Sequence, residues 1–189
     1  MKSEWAIYRE LFTPEECDSI IERAYQNELE DSTVGNATYG NQKVDHNLRK
    51  SKIQWMRKNE YSDVFDKLWK YTIDVNAEFF QTHIDYMPEL QFTEYDESYD
   101  GEFKSHNDMI WMTDHNRHRK LSCVIHLTDP TEFEGCELNI ECESGDFPND
   151  VKSRGTVVWF PALKTHWVTP ITKGRRNSVV CWFEGPKWR

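Results

Sequence analysis

The spacing of apolar residues in the first part of the chain is typical of helices. Between residues 61 and 81, apolar side chains recur at every third or fourth position, which predicts an amphipathic helix with one buried face and with Ser62 as its N-cap. Upstream, Thr13 is followed by Pro14 and Glu16, the residue types of a capping box, so a shorter helix is expected from there to about Asn27. Both helices precede a region with a different pattern.

From residue 89 onward the period of the pattern falls to two, as in strands. Short apolar runs are separated by Gly, Pro and Asp, which are common in tight turns. In residues 121–127 the odd-numbered positions are apolar, while Ser122, Val124 and His126 occupy the other face. Polar residues on an otherwise apolar strand indicate that this face lines a cavity. Short strands of this kind predict a jelly roll.

Two basic segments are interpreted as solvent-exposed. Residues 47–56 are expected to hold a strand that joins the core sheet, with Arg49 and the neighbouring lysines on a solvated face. Residues 109–120 form a long polar connection that contains His115 and His118. A solvated loop is the preferred interpretation of these histidines, and metal binding is the alternative.

Length, charge and cysteine usage narrow the class of protein. The 189 residues are enough for one domain with a substantial core, so a single domain is expected over residues 1–189. A formal net charge of −10 repels phosphate backbones, which argues against general nucleic-acid binding. No apolar run has the length of a membrane span, and residues 1–12 lack the apolar core of a signal peptide. The five cysteines contain no C-x-x-C pair, which favours buried thiols and a cytoplasmic location.

Candidate chemistry centres on His106 and Asp108. In a strand, residues i and i+2 project to the same side, so an imidazole and a carboxylate at these positions can share one metal ion. His166, on a later strand, would complete a set of two histidines and one carboxylate and leave coordination positions open. This is the ligand set of non-haem iron(II) oxygenases.

The chain contains a second copy of this pattern, formed by His83 and Asp85. It ends the predicted helix over residues 61–81, and positions i and i+2 diverge by roughly 200° on a helix. These two side chains are therefore expected to be surface residues at a helix end.

Three separated blocks of the sequence match a known family in order and spacing. The matching residues are Tyr95, Gly101, Phe103, His106 and Asp108, then residues 155–161, and then His166, Val168, Pro170, Gly174, Arg176, Ser178 and Trp182. Over about residues 89–185 the chain resembles the 2-oxoglutarate/iron(II)-dependent dioxygenases, and most of all their prolyl 4-hydroxylase-like branch. The resemblance implies a mainly β (α+β) chain in which helices and first strands in residues 1–88 support a double-stranded β-helix, a cupin-like jelly roll.

The resemblance also implies the residues that bind the cosubstrate. Arg176 would hold the 5-carboxylate of 2-oxoglutarate, since a guanidinium can donate two parallel hydrogen bonds, and Ser178 belongs to the same motif. Arg175 should point to the opposite face of the strand. His126 occupies a position where some prolyl hydroxylases have a tyrosine that touches this carboxylate, and a buried structural histidine is the alternative. Tyr95 is a similar candidate, with core packing as its alternative.

The expected cofactor is iron(II), bound by His106, Asp108 and His166, with dioxygen as a further substrate and ascorbate as an additional reductant. The expected reaction hydroxylates a substrate C–H and releases succinate and carbon dioxide. A cupin-like metalloenzyme that needs no 2-oxoglutarate and a non-catalytic jelly-roll binding module are the rival classes. Arg176 argues against the first of these, and the complete set of metal ligands argues against the second.

The expected substrate is a prolyl residue in a peptide or protein, and a free amino acid or another small molecule is the alternative. Residues 109–120 would form one wall of a groove, where Trp111 would pack against a proline ring unless it is a structural tryptophan. Nucleic acid and membrane partners are not expected. Cys136 departs from the family, because it stands where a second Gly is commoner in a Gly–Gly–Glu–Leu turn, and this leaves the geometry of that turn open.

Overall fold

Two antiparallel sheets form the core of the protein, as seen in a computed structural model that describes residues 2–35, 42–111, 116–143, 145, 147–148 and 151–188. The strands are β1 (Ala6–Tyr8), β2 (Glu30–Asp31), β3 (Arg49–Lys50), β4 (Lys52–Met56), β5 (Leu90–Asp96), β6 (Glu102–His106), β7 (Arg117–His126), β8 (Phe133–Gly135), β9 (Leu138–Ile140), β10 (Val157–Pro161), β11 (His166–Val168) and β12 (Ile171–Pro186). The helices are α1 (Pro14–Ala24) and α2 (Ser62–Val75), and α2 continues into a π-helical turn (Asn76–Phe80).

The larger sheet places the predicted cosubstrate residues on neighbouring strands. Its order is β1–β10–β7–β12–β5–β4–β2, and β8 pairs with the first part of β12. β12 lies between β7 and β5, and its register sets Arg176 opposite Tyr95. Ser178 lies opposite Thr93 on one side and opposite His126 on the other.

The smaller sheet brings together two histidines that are far apart in the sequence. Its order is β3–β6–β11–β9. In the antiparallel pair of β6 and β11, His106 lies directly opposite His166. Side chains of directly opposed residues share one face of a sheet, with Cβ atoms about 5 Å apart.

Two apolar clusters show how the layers pack. One cluster packs the helices on the outer face of the larger sheet and includes Ile20, Phe65, Leu68, Trp159 and Phe183. The other lies between the two sheets and includes Tyr95, Val124, Leu138, Phe160 and Val168. Two antiparallel sheets face to face, with helices covering one of them, are a jelly roll with helical support. The predicted fold class is confirmed.

Helix α1 begins with the predicted capping box. The Thr13 hydroxyl accepts a hydrogen bond from the Glu16 N–H at 3.3 Å, and the Thr13 N–H donates to a Glu16 carboxylate oxygen at 2.7 Å. Pro14 occupies the first helical position, whose N–H needs no partner within the helix. The helix ends at Ala24, before the predicted end near Asn27.

Helix α2 covers most of the predicted amphipathic run. Its N-cap is Tyr61, with no side-chain cap hydrogen bond, so the prediction of Ser62 as the cap is wrong. Within the described residues, no helix is long and apolar enough to cross a membrane.

The polar connection predicted over residues 109–120 is shorter than expected, because β7 begins at Arg117. His118 is only 5% exposed. Its Nδ1 accepts from the Trp188 N–H at 3.2 Å, and its Nε2 lies 3.0 Å from the carbonyl oxygen of Trp111. Strand pairing and these two bonds bury His118, so its interpretation as a solvated loop residue is wrong. His115 lies outside the described residues.

Candidate metal centre and cosubstrate pocket

Three side chains converge in the space between the two sheets. His106, Asp108 and His166 each offer one ligand atom, and these atoms lie within 4.8 Å of one another. The Asp108 carboxylate oxygens are 3.8 Å from Nε2 of His106 and 3.5 Å from Nε2 of His166. An ion bound at about 2.0–2.2 Å from each donor needs donor spacings of about 3–4 Å, so this set fits a single metal ion.

Backbone hydrogen bonds fix which nitrogen each imidazole can offer to a metal. Nδ1 of His106 lies 2.7 Å from the carbonyl oxygen of Lys104, and Nδ1 of His166 lies 3.0 Å from that of Lys164. A carbonyl oxygen only accepts hydrogen bonds, so both Nδ1 atoms carry the proton. The lone pair of each Nε2 therefore points into the site, the orientation that a ligating histidine requires.

Asp108 reaches the site from beyond the end of strand β6, although the spacing predicts that it lies on that strand. Strand β6 ends at His106, so the expectation that both ligands share one strand is wrong. The backbone N–H of Asp108 instead donates to the carbonyl oxygen of Ala162 at 3.0 Å, in the turn before His166. The Ser122 hydroxyl donates to the Asp108 carboxylate at 2.6 Å. These two bonds hold the carboxylate between the histidines.

The protonation states of this centre suit cation binding. Burial, together with the neighbouring His166, lowers the pKa of His106 to about 4. Burial by itself would raise the pKa of Asp108, but the two histidines and the Ser122 hydroxyl lower it to about 2. At neutral pH the His106 ring is therefore neutral and Asp108 is a carboxylate, the forms that bind a metal ion.

Arg176 lies in the same pocket as the three candidate ligands. It is 2% exposed, and among the described residues no carboxylate lies within ion-pair distance of it. Arg175 points the other way, where it bonds Asp96 at 2.6 Å and its side chain is 53% exposed. A buried guanidinium that lacks an acidic partner is costly unless an external anion binds to it.

His126 lies beside Arg176 and has a ring nitrogen without a partner. The Arg176 guanidinium donates to Nδ1 of His126 at 3.2 Å, so the proton of the neutral ring is on Nε2. Burial and the neighbouring guanidinium hold the pKa of His126 well below its usual range. Nε2 is buried and has no hydrogen-bond partner among the described residues. An unpaired buried donor of this kind is expected where a ligand supplies the acceptor.

Cys136 completes the surroundings of Arg176. Its φ of 54° and that of Gly135, 74°, are both in the left-handed region that favours glycine. The turn thus keeps a glycine-type backbone although its second residue is a cysteine. The Cys136 side chain is buried near the Arg176 guanidinium, and burial raises the pKa of its thiol to about 11. The cysteine therefore places a neutral thiol near Arg176.

Arg49 is a residue of the pocket that the sequence analysis missed. It was assigned to a solvated face, but it is 7% exposed and its guanidinium lies 4.6 Å from the centre of the Phe103 ring. Strand β3 has only two residues and pairs with β6, and this long-range pairing turns Arg49 inward. No local pattern could have revealed it. The pocket is lined by Arg49, Gln91, Tyr95, Phe103, His106, Asp108, Val124, Leu138, Phe160, His166, Val168, Arg176, Ser178, Val180 and Trp182.

The second copy of the spacing, His83 and Asp85, lies at the surface, as predicted. The side chains are 70% and 39% exposed, and Asp85 forms an ion pair with Arg117. Both residues follow the helical segment and are not part of the cluster at His106.

Comparison with known proteins supports the same centre. A sequence model described as the 2OG-Fe(II) oxygenase superfamily matches residues 90–184, which are 95 of the 189 residues. The chain belongs to this superfamily. The resemblance noted from the sequence is confirmed, and the matched region contains the three candidate ligands and Arg176.

The matches to individual curated relatives cover only part of those proteins. A PKHD-type hydroxylase from Pseudoalteromonas atlantica is 38% identical over 65 residues, which are 34% of this chain and 28% of that protein. For the curated relatives that it matches, the aligned part spans between 28% and 38% of their length.

Solved structures with this fold include prolyl hydroxylases. The viral collagen prolyl hydroxylase of Paramecium Bursaria Chlorella virus-1, in complex with 2OG, has a TM-score of 0.72 and 18% identity, covering 97% of each chain. A prolyl hydroxylase from Trichoplax adhaerens, in complex with a hypoxia inducible factor peptide fragment, has a TM-score of 0.75 and 15% identity. It covers 95% of this chain and 83% of its own. At these identities the likeness concerns the fold.

Iron(II) and 2-oxoglutarate both fit the residues of this pocket. Two imidazoles and a carboxylate are the ligand set of non-haem iron(II) oxygenases. The unpaired Nε2 of His126 and the guanidinium of Arg176 suit the distal carboxylate of a dicarboxylic acid.

The low pKa of His106 predicts that the metal-free protein loses stability in mild acid. The unfolded chain protonates this histidine near pH 6.5, whereas the folded protein keeps it neutral down to about pH 4. Acid therefore favours the unfolded state throughout this window, by roughly 3 kcal/mol at its lower end. Denaturant unfolding of the metal-free protein at pH 4–7 should show a steep decrease in the free energy of unfolding as the pH falls. His106→Gln should make this decrease smaller.

The exposed His83 provides the matched control, and His83→Gln should keep the steep pH dependence of the parent protein. Part of the slope should remain in His106→Gln as well, because the buried His126 also resists protonation. Equal slopes of unfolding free energy against pH in the parent protein and in both variants would contradict the lowered pKa of His106.

Proposed function

We propose that this protein is a 2-oxoglutarate- and iron(II)-dependent oxygenase that hydroxylates a substrate C–H, with release of succinate and carbon dioxide. His106, Asp108 and His166 would hold the metal. Arg176 would anchor the 5-carboxylate of the cosubstrate, with His126, Ser178 and Tyr95 as further contacts. The supporting geometry is the convergence of the three candidate ligands, Arg176, Ser178 and Tyr95 in one pocket between the sheets, with His126 hydrogen-bonded to Arg176.

One observation carries the proposal. Arg176 is a buried cation with no carboxylate partner among the described residues, and it shares a pocket with a three-ligand cluster. A binding module that needs only a metal has no use for such a cation, because burying a charge without a partner costs free energy. A dicarboxylate that reaches from the metal to Arg176 would satisfy both features.

Each residue has a role that follows from its contacts. The carbonyl groups of Lys104 and Lys164 orient the imidazoles, and Ser122 orients the Asp108 carboxylate. Arg176 and the Nε2–H of His126 would donate hydrogen bonds to the distal carboxylate. Bound iron(II) would activate dioxygen, the oxidant, and 2-oxoglutarate would supply two electrons on decarboxylation, so that one oxygen atom enters succinate and the other the substrate C–H. The apolar lining from Val124, Phe160 and Val168 would exclude water from the reacting atoms.

A prolyl residue in a peptide or protein is the proposed substrate. Prolyl hydroxylases have this fold, and one of them was solved with a peptide fragment. Trp111 is 58% exposed and could pack against a proline ring. A free amino acid is the second candidate, and Arg49 favours it, because a buried cation in the pocket suits a small anionic substrate.

The remaining parts of the proposal concern organisation and location. Arg49 precedes residue 89 yet lines the pocket, so we propose that residues 1–189 act as one domain.

All five cysteines are free thiols, which fits a reducing compartment such as the cytoplasm. A net charge of −10 fits a protein or small-molecule partner better than a nucleic acid. Ascorbate is proposed as an additional reductant in the assay.

The direct test of this function is Asp108→Ala. Without the carboxylate the metal loses one of three ligands, so succinate production from 2-oxoglutarate should fall to background and iron(II) binding should weaken. Mass spectrometry measures succinate, and circular dichroism reports whether the fold is kept. Asp85→Ala, in the surface copy of the pattern, is the control and should retain activity. Full succinate production by a folded Asp108→Ala protein would overturn the proposal.

Replacing the two adjacent arginines separately should give opposite outcomes. Loss of one partner of a buried ion pair costs about 3–5 kcal/mol, so Arg176→Ala should weaken 2-oxoglutarate binding a few hundred-fold or more. Calorimetric titration of the manganese(II)-loaded protein measures this affinity without turnover. His126→Phe should cost less, since one hydrogen bond to a charged group contributes about 1.5–3 kcal/mol.

Arg175→Gln is the matched control, because its side chain bonds Asp96 on the other face of the strand. It should leave the affinity for 2-oxoglutarate within about threefold of the parent value. Equal losses for both arginine variants, at equal stability, would show that Arg176 does not anchor the cosubstrate.

A further inference from the structure

Arg49 is a buried cation whose charge is not neutralised within the described part of the chain. Its Nε donates to the Ser51 hydroxyl at 2.7 Å and its Nη2 to the Gln91 side-chain oxygen at 2.9 Å. These partners are neutral. No described carboxylate lies within 4.0 Å of it, although the residue is 7% exposed. The hydrogen bonds hold the guanidinium in place but leave its charge uncompensated.

Arg49 lies next to the candidate metal centre. Its guanidinium is 4.6 Å from the centre of the Phe103 ring, and the opposite contact of that ring is His106, stacked at 3.5 Å. The Phe103 ring therefore contacts both the cation and a candidate metal ligand. Arg49 and the three candidate ligands line one pocket, so a group bound to Arg49 would share that pocket with the metal.

Arg49 and Arg176 enter the pocket from different sheets. Arg176 lies on β12 of the larger sheet, opposite Tyr95, whereas Arg49 lies on β3 of the smaller sheet and bonds Gln91. A dicarboxylate with one carboxylate on the metal and the other on Arg176 has no further carboxylate to offer, and therefore leaves Arg49 for another anion.

The charges of the loaded site point to the same conclusion. The positive charges of iron(II) and Arg176 are matched by Asp108 and the two carboxylates of 2-oxoglutarate. Arg119, which stacks on Trp182 at 3.8 Å, interacts with Asp108, Glu184 and Glu89. Arg49 has no described carboxylate within 4.0 Å. A buried cation without an adjacent counterion is unfavourable, so an anion that binds at Arg49 would be stabilised.

A second donor in the same lining also lacks a partner. The indole N–H of Trp182 is buried and forms no hydrogen bond within the described residues. The same lining includes the apolar side chains of Val168, Val180 and Leu138. This combination of an unpaired cation, an unpaired donor and an apolar wall suits a small aliphatic group that carries an oxygen anion.

We propose that Arg49 binds a carboxylate of the substrate, so that this protein acts on a carboxylate-bearing amino or imino acid unit. The inference rests on the proposed function and narrows its substrate class. The carboxylate belongs either to a free amino acid, to the C-terminal residue of a peptide, or to an acidic side chain beside the oxidised residue. In each case the remaining N–H groups of the Arg49 guanidinium would donate hydrogen bonds to the carboxylate oxygens, and a C–H near that carboxylate would be oxidised.

The test compares matched acids and amides on the manganese(II)- and 2-oxoglutarate-loaded protein by calorimetric titration. The pairs are L-proline and L-prolinamide, L-leucine and L-leucinamide, a prolyl peptide with a free or an amidated C-terminus, and a prolyl peptide with Glu or Gln beside the proline. At least one acid should bind tenfold or more tightly than its amide. The pair that shows the preference identifies the source of the carboxylate.

Arg49→Gln should remove that preference, while the amide binds as before and the affinity for 2-oxoglutarate changes less than threefold. Arg49→Lys should keep part of the preference, because the charge is retained without the fork. The exposed neighbour Lys52 gives the control, and Lys52→Gln should behave like the parent protein. If Arg49→Gln does not fold, the difference in affinity between each acid and its amide on the parent protein tests the inference.

Two results would overturn the inference: no pair in which the acid binds more tightly, or a preference that survives in Arg49→Gln. Failure of the proposed function would look different. In that case 2-oxoglutarate itself would not bind the manganese(II)-loaded parent protein, and this is measured before any substrate is added.

Discussion

The pairing of β6 with β11 is the constraint on which the candidate centre depends. It sets His106 directly opposite His166, although the two residues are distant in the sequence. The carbonyl groups of Lys104 and Lys164 then fix both rings with Nε2 facing inward. Asp108 is held beside them by two bonds, from its backbone N–H to Ala162 in the turn before β11 and from the Ser122 hydroxyl to its carboxylate. The strand pair positions the histidines, and the turn before β11 and Ser122 on β7 position Asp108.

Buried positive charge is the second organising feature. Arg176 and Arg49 lie in one pocket, and neither has a carboxylate partner among the described residues. Burial of unpaired charge costs folding free energy. In this pocket, the binding of an anionic cosubstrate and an anionic substrate would offset that unfavourable free energy. The neutral neighbours of these arginines, His126, Cys136 and Gln91, hold them without neutralising them.

The sequence predicted those features that arise from local patterns. The capping box at Thr13, the alternation of residues 121–127, and the opposite directions of Arg175 and Arg176 all follow from the periods of helices and strands. Features that depend on pairing between distant segments were missed. Arg49 faces inward because a two-residue strand pairs with β6, and no periodicity can be read from two residues. His118 became a buried strand residue because β7 extends farther than the polar composition of its first residues indicates.

The most direct test of this account is a crystal structure of the protein with manganese(II) and 2-oxoglutarate. The account predicts one metal ion at roughly 2.0–2.3 Å from Nε2 of His106, Nε2 of His166 and the Asp108 carboxylate. It also predicts the 5-carboxylate on the Arg176 guanidinium, with Arg49 not in contact with 2-oxoglutarate. A metal bound by other residues, or a 5-carboxylate that binds Arg49 instead of Arg176, would contradict it.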